Sequence, residues 1–102
     1  MRAPVVRFLG EDCTVSFVRY HNDRVAIELT CEDGSSMARA TVNLPEVPLA
    51  EDEVAVKDYS ENAGMLSALM SAGIVSAPVR WVESGWVKVP VCRVLTTSDK
   101  TR

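Results

Sequence analysis

Two alternating segments joined by a turn constrain the fold of this sequence more than any other feature. Residues 25–31 place apolar side chains on one side of an extended chain, and residues 38–44 repeat that pattern. Between them, Glu32-Asp33-Gly34-Ser35 is typical of a tight turn. The apolar positions are Val25, Ile27, Leu29, Cys31, Ala38, Ala40, Val42 and Leu44. The pattern predicts a β-hairpin with one buried face and one solvated face.

Other short β-rich segments flank this hairpin. Residues 5–9 and 13–20 precede it, and the polar turn His21-Asn22-Asp23 joins the second of them to the hairpin. A proline-containing stretch over residues 46–53 is predicted to be a surface loop with an acidic end. Residues 54–56 could then form a brief strand.

One helix is predicted, over residues 62–72. Its apolar stripe has helical spacing and consists of Met65, Leu66, Leu69 and Met70. Three residues could cap its start, namely Asp58, Ser60 and Asn62. At its end, Gly73 is expected to adopt a left-handed conformation, with Ile74 contacting Leu69 in a Schellman motif.

Length and patterning together predict one α+β domain over residues 1–96. We expect an antiparallel sheet of five to six strands with the helix packed on one face. The polar residues 97–102 lack periodicity and are predicted to form a disordered tail.

Cysteine usage and the absence of long apolar runs bear on localisation. Cys13, Cys31 and Cys92 are odd in number and far apart, which favours free thiols in a reducing compartment. The sequence also has no run of about 18–20 apolar residues and no signal-peptide pattern at its start. We therefore expect a soluble cytoplasmic protein.

The two tryptophans lie on either side of a second predicted hairpin. If Ser84-Gly85 is a two-residue loop, Glu83 pairs with Trp86 and Trp81 pairs with Lys88, so that these four side chains share one face. A three-residue loop with a bulge at Gly85 would instead separate the tryptophans. We favour the two-residue loop. Because Pro90 limits ladder bonding, we expect its strand to be an edge strand or to carry a bulge.

In that two-residue register, valines fill the face opposite the tryptophans. If the helix covers the valines, the tryptophans form an exposed apolar patch with a charged rim, which is typical of a partner site. The alternative is that both tryptophans belong to the core. The predicted partner-binding residues are Trp81, Trp86, Glu83, Lys88 and Arg80, with Arg93 as a secondary candidate.

No residue pattern points to a catalytic, metal or cofactor site. His21 could act as a general base oriented by Asp23, or together with a cysteine, but a solvated turn histidine is the simpler interpretation. The cysteines lack the short paired spacing of zinc ligands. The acidic run Glu51-Asp52-Glu53 lacks the further oxygen ligands of a calcium site. We expect no enzymatic activity and no cofactor.

The charge balance disfavours a nucleic-acid partner. The formal net charge is −3, and the arginines are spread along the chain, whereas binding to phosphates normally needs a basic face. A nucleic-acid-binding module, with the tryptophans stacking on bases, stays an alternative.

Several short motifs resemble a family of small bacterial proteins of unknown function that occur on plasmids, prophages and conjugative elements. The motifs are Thr41-Val42-Asn43-Leu44-Pro45, Lys57-Asp58-Tyr59-Ser60-Glu61-Asn62-Ala63-Gly64, Ser84-Gly85-Trp86-Val87 and Pro90-Val91-Cys92-Arg93. The resemblance covers about residues 25–95. It implies an accessory role for a mobile element, such as countering or modulating a host defence system by binding a protein. It supplies no catalytic residues.

Overall fold

The computed structural model describes residues 5–95 and contains seven strands in two antiparallel sheets, together with one α-helix. In the first sheet the order is β1-β2-β3-β4, with bounds Val5–Phe8, Glu11–Arg19, Val25–Thr30 and Ser36–Arg39. In the second the order is β5-β7-β6; β5 is Glu53–Ala55, β6 is Arg80–Ser84 and β7 is Val87–Arg93. The α+β class is confirmed, whereas the single sheet of five to six strands is wrong. The proposed tail at residues 97–102 lies outside the described residues.

The segment that leaves β4 connects the two sheets. The Ala40 N–H donates to the Ile27 carbonyl (2.8 Å), while the Ala40 carbonyl accepts from Lys57 (2.8 Å). Two residues later, Val42 donates to Ala55 (3.0 Å). Residues 40–42 therefore bond to both sheets. β4 is the edge strand of the first sheet, and the residues that follow it connect this sheet to the β5 side of the second sheet.

The hairpin of β3 and β4 forms as its alternation predicts, with small differences. Ile27 and Leu29 are fully buried, and a bulge between Leu29 and Thr30 shifts the pairing with β4. Ala26 is buried as well, although it belongs to the face predicted to be solvated. Cys31 lies beyond the end of β3 and is half-buried, so its predicted place on the strand is wrong by one residue.

The main core fills the space between the inner face of the first sheet, the helix and part of the second sheet. Its members include Val6, Phe8, Cys13, Val15, Ile27, Leu29, Val54, Val56, Met65, Leu69, Ile74 and Cys92. A smaller cluster lies on the opposite side of the second sheet and contains Leu44, Ala55 and Val89, with Val42, Val47, Tyr59, Val82 and Val87 around it. The second sheet is thus packed on two sides, the first mainly on one.

Arg24 fixes the loop that covers the smaller cluster. Its Nη1 donates to the Leu44 carbonyl (2.7 Å) and its Nη2 to the Val47 carbonyl (2.6 Å). Arg24 lies just before β3, so a residue of the first sheet's turn region holds a loop of the second sheet.

The helix α1 spans Met65–Ser71 and is preceded by a 3₁₀ turn, Ser60–Asn62. It is therefore shorter than the predicted residues 62–72. Asp58 caps the start of the helix, since its Oδ1 accepts hydrogen bonds from the backbone N–H groups of Gly64 (3.1 Å) and Leu66 (2.9 Å). At the other end, Gly73 donates to Met70 (3.0 Å) and Ile74 to Leu69 (3.0 Å).

Those two bonds form the predicted Schellman motif. Gly73 has a φ of 76°, a conformation that costs a side chain with a Cβ about 1–2 kcal/mol. Ile74 and Leu69 are both fully buried in the main core. The end of the helix is confirmed as predicted, while its start is a composite of a 3₁₀ turn and a remote aspartate.

Candidate interaction site

The hairpin of β6 and β7 carries both tryptophans, and its register differs from the predicted one. Ser84 pairs with Val87, so the two-residue loop is Gly85-Trp86 and not Ser84-Gly85. Glu83 then pairs with Lys88, and Trp81 pairs with Pro90. The predicted loop length is confirmed, but its position is wrong by one residue.

The conformation of Gly85 explains the shift. Its φ is 59°, while Trp86 is not among the residues with positive φ. A two-residue hairpin turn with positive φ only at its first central residue is of the II′ kind, which favours glycine at that position. A loop of Ser84-Gly85 would put serine there and glycine second. The glycine therefore marks the first residue of the loop.

The shift changes where the two tryptophans lie. Trp81 remains on one face of the hairpin with Glu83, Lys88 and Pro90. Trp86 is at the tip, so the prediction that it shares that face is wrong. Pro90 belongs to the Trp81 face, and it was missed because the predicted register paired Trp81 with Lys88.

Both tryptophans are exposed. The exposed fraction is 54% for Trp81 and 102% for Trp86, which means that the Trp86 side chain makes essentially no contact with its own chain. The alternative in which both tryptophans belong to the core is wrong for residues that are this accessible. Glu83 and Lys88, directly opposite each other, are exposed as well.

Arg80 lies on the other face of the hairpin and has a structural contact. Its Nη1 donates to both carboxylate oxygens of Glu53 (3.0 and 3.2 Å), and its Nη2 donates to the Pro48 carbonyl. Glu53 is only 8% exposed. Arg80 therefore anchors β6 to β5 and the loop, and it does not join the tryptophans as the sequence suggested.

The valine face is covered, although by a loop and not by the helix. Val82, Val87 and Val89 pack in the smaller cluster with Leu44 and Val47. The helix instead contributes Met65 and Leu69 to the main core. The valine face is thus covered, by a different element than predicted. On the opposite face Trp81, Glu83 and Lys88 are exposed, whereas Pro90 is buried.

Pro90 lies in a central strand, and the prediction of an edge or bulged strand is wrong. β7 has β5 on one side and β6 on the other. The Pro90 carbonyl accepts from Val56 (2.9 Å), so this residue directs its backbone groups toward the β5 side. Because β5 ends at Ala55, the missing N–H falls where that strand has already ended. A central proline is tolerated for this reason.

The groups considered for catalysis are not arranged for it. His21 is exposed and takes part in no hydrogen bond among residues 5–95, and the three cysteines are free thiols. Burial raises the pKa of Cys92 to about 11. Burial, followed by the neighbouring Cys31, raises the pKa of Cys13. Both thiols are therefore protonated at neutral pH, which disfavours the roles of catalytic nucleophile and metal ligand.

An open groove of about 610 Å³ lies between β1 and α1. Small and apolar side chains make up most of its lining, including Val5, Leu9, Ala68 and Ala72. Its one charged residue, Arg7, already pairs with Asp12 at 2.8 Å. Within residues 5–95, no three histidine, cysteine or acidic residues are close enough together to hold a metal ion.

Most cations of the described chain are engaged by its own acceptors. Ion pairs join Arg7 to Asp12, Arg39 to Glu28, Lys57 to Glu61, Arg80 to Glu53 and Arg93 to Asp52. Arg19 and Arg24 donate to backbone carbonyls. Lys88 takes part in none of the ion pairs found among residues 5–95. This dispersed, paired charge does not form the continuous basic surface that phosphate binding needs.

Compared with known proteins, the sequence matches no family model, no curated protein and no solved structure at a significant level. The resemblance to a mobile-element family therefore stays a prediction. No helix among residues 5–95 is long and apolar enough to cross a membrane. The exposed β6–β7 hairpin is therefore the candidate interaction site of the described chain.

Proposed function

We propose that this chain is a small non-enzymatic binding protein that recognises a protein partner through its β6–β7 hairpin. The observation that carries the proposal is the complete exposure of Trp86 at the hairpin tip, next to the half-exposed Trp81. A partner would present an apolar pocket for the Trp86 indole and charges complementary to Glu83 and Lys88. The prediction that the chain serves a mobile element as an accessory protein, including a role against a host defence system, is proposed from the sequence resemblance alone.

The energetics favour a binding role for Trp86. Burying a tryptophan removes roughly 150–250 Å² from water, which at about 25 cal/mol per Å² corresponds to about 4–6 kcal/mol before the costs of association. The free protein gains none of this, because the side chain contacts solvent on all sides. Tryptophan is also among the residues that most often dominate binding energy at interfaces.

The fold holds the hairpin in a defined position. β7 is the central strand of its sheet, and Arg80 fixes β6 to the buried Glu53. The valine face packs on the loop. Trp81 lies on the opposite face, which further along β7 buries Cys92 in the main core, but Trp81 itself is exposed, as is Trp86 at the tip. A preorganised hairpin loses less conformational entropy on binding than a flexible segment does.

The test compares affinity capture by tagged wild-type chain, Trp86→Ala and Met70→Ala from the extract of the source cells. Met70 is the matched control, because it is a partly exposed apolar residue of α1, 39% accessible. We expect proteins that wild type and Met70→Ala retain and Trp86→Ala loses. With a purified partner, Trp86→Ala should weaken binding by at least about 30-fold, the equivalent of about 2 kcal/mol.

A second variant tests the charged rim. Exchanging the two charges in Glu83→Lys/Lys88→Glu keeps the net charge and the cross-strand attraction but inverts the pattern that a partner meets. We expect weaker binding with unchanged stability. Identical capture by wild type and Trp86→Ala would contradict the proposal.

The nucleic-acid alternative gives a different result in the same experiments. Binding to phosphates weakens steeply with salt, and nuclease treatment of the extract would abolish capture. A salt-sensitive mobility shift with single-stranded DNA or RNA that is lost in Trp86→Ala would replace a protein partner with a nucleic acid.

A further inference from the structure

Cys13 and Cys31 are the residues directly beyond the last pair of the β2–β3 ladder. The last paired residues are Thr14 and Thr30, and in an antiparallel ladder the next residues outward are Cys13 and Cys31. Side chains at directly opposite positions project to the same face. Here that face is the one of Val15 and Leu29, which are paired and buried in the main core.

The hydrogen-bond pattern identifies which kind of opposite pair the cysteines form. The Tyr20 N–H donates to the Arg24 carbonyl (2.9 Å), so this pair is hydrogen-bonded. Hydrogen-bonded and non-hydrogen-bonded pairs alternate along an antiparallel ladder. Stepping from Tyr20 to Thr14 by twos places Thr14 and Thr30 in a hydrogen-bonded pair, and Cys13 and Cys31 in the closer, non-hydrogen-bonded kind.

That geometry is compatible with a covalent link. The Cα atoms of a non-hydrogen-bonded pair are about 4.5 Å apart, and disulfides join residues whose Cα atoms are about 4.4–6.8 Å apart. The Cys31 N–H donates to Ser35 (2.8 Å), which fixes the backbone at this position within the following turn. Cys31 raises the pKa of Cys13, which agrees with the proximity of the two side chains.

The two thiols differ in access. Cys13 is fully buried and Cys31 is half-buried at the rim of the core. The third cysteine, Cys92, is buried on β7 in the other sheet. Only Cys31 combines partial exposure with a cysteine as its cross-strand neighbour.

We propose that Cys13 and Cys31 form an oxidisable dithiol that closes to an intramolecular disulfide across β2 and β3. The oxidant is a small-molecule disulfide such as oxidised glutathione. The Cys31 thiolate attacks one sulfur of the oxidant, forming a mixed disulfide and releasing the first thiolate. The Cys13 thiol then loses its proton, attacks the Cys31 sulfur and releases the second thiolate. The protein loses two protons and two electrons, and the oxidant takes them up and becomes two thiols.

The link would cross-connect the first sheet where β3 ends. It closes the chain segment that contains most of β2, the His21 turn and all of β3, and so restricts the unfolded chain. The oxidised protein should therefore resist unfolding more than the reduced protein does. This inference does not depend on the tryptophan hairpin.

The experiment equilibrates the full chain in glutathione buffers of increasing oxidising power, followed by acid quenching, intact-mass measurement and peptide mapping. The variants are Cys31→Ser and Cys92→Ala, with Cys31→Ser chosen because a half-exposed site tolerates serine. We expect wild type and Cys92→Ala to lose the mass of two hydrogens, with the Cys13 and Cys31 peptides linked. Cys31→Ser should show no such loss.

Denaturant unfolding gives a second readout. The midpoint should rise on oxidation of wild type and Cys92→Ala, return after treatment with dithiothreitol, and stay unchanged in Cys31→Ser. Three results would overturn the proposal: a stable glutathione adduct on Cys31 that goes no further, a link that involves Cys92, or a disulfide between two chains.

Discussion

The two hairpins of the molecule, β3–β4 and β6–β7, distribute their side chains in opposite ways. In the first, the bulky apolar residues Ile27 and Leu29 point into the main core and are fully buried. In the second, Val89 is buried, while the largest side chains, Trp81 and Trp86, are exposed. Both hairpins have one face packed against the rest of the protein.

The comparison of the two hairpins shows that side-chain size does not decide which residues this fold buries. The β6–β7 hairpin packs only valines against the loop, and its tryptophans contribute little to either cluster. Aromatic residues normally contribute strongly to cores. The β6–β7 hairpin leaves both of them exposed, and this exposure is the observation on which the proposed binding role rests.

The largest effect on stability is expected from Ile27→Ala in the first hairpin. Ile27 is fully buried in the main core, and truncation of such a side chain costs about 2–5 kcal/mol through lost transfer energy and a residual cavity. Chemical denaturation monitored by circular dichroism measures this change. A smaller loss of unfolding free energy in Ile27→Ala than in Trp86→Ala would contradict the contrast between the buried side chains of the first hairpin and the exposed ones of the second.

An intermediate effect is expected from Glu53→Gln, which weakens the anchor of the second hairpin. The variant loses the charge-assisted bonds to Arg80 and should be destabilised by about 1–3 kcal/mol at neutral pH. Asp52→Asn is the control, since its ion pair with Arg93 is exposed and contributes about 0–1 kcal/mol.

The lowered pKa of Glu53 predicts that the stability of the fold depends on pH. The Ala50 N–H and the Arg80 guanidinium lower the pKa of the Glu53 carboxyl from its ordinary value of 4.5. Because the folded value lies below the unfolded one, this stabilisation is present above about pH 4.5 and is lost as the pH falls through the folded value. Acidification should therefore narrow the stability difference between wild type and Glu53→Gln. A constant difference would exclude this linkage.

The smallest effect on stability is expected from Trp86→Ala at the hairpin tip. The side chain is fully exposed, so its removal should change the free energy of unfolding by less than about 0.5 kcal/mol. Tryptophan fluorescence in the free Trp81→Phe variant, which reports on Trp86, should be strongly quenched by acrylamide. A large loss of stability in Trp86→Ala would mean that the tip packs against the protein and would remove the basis for the proposed function.

The sequence predicted the elements whose signals are local. Alternation identified the β3–β4 hairpin, and the Gly73-Ile74 pair identified the end of α1, because each depends on a few neighbouring residues. The start of α1 was predicted less well, since Asp58 caps it from outside the helix, across an intervening 3₁₀ turn.

Features that depend on contacts between residues far apart in sequence could not be predicted from hydrophobic periodicity. The connection between the two sheets depends on hydrogen bonds of residues 40–42 to both, which periodicity does not encode. For the candidate site, the sequence named Trp81, Trp86, Glu83 and Lys88 but left open whether they are exposed, which the structure shows. Arg80 was not separable from them without knowledge of its contact with Glu53. The register was predicted wrongly because Ser84 was placed at the first position of the loop. The positive φ of a type II′ turn at that position favours glycine, and Gly85 occupies it.

The two hydrogen bonds from Arg24 to the loop over the second sheet have a consequence for the cooperativity of unfolding. Opening that loop requires the loss of two bonds from a cation that lies at the start of β3, and it would also expose the smaller cluster. The loop therefore cannot open as an independent low-energy fluctuation of the kind common in surface segments. The two sheets should unfold as one unit, with slowly exchanging amides in both reaching the same limiting free energy.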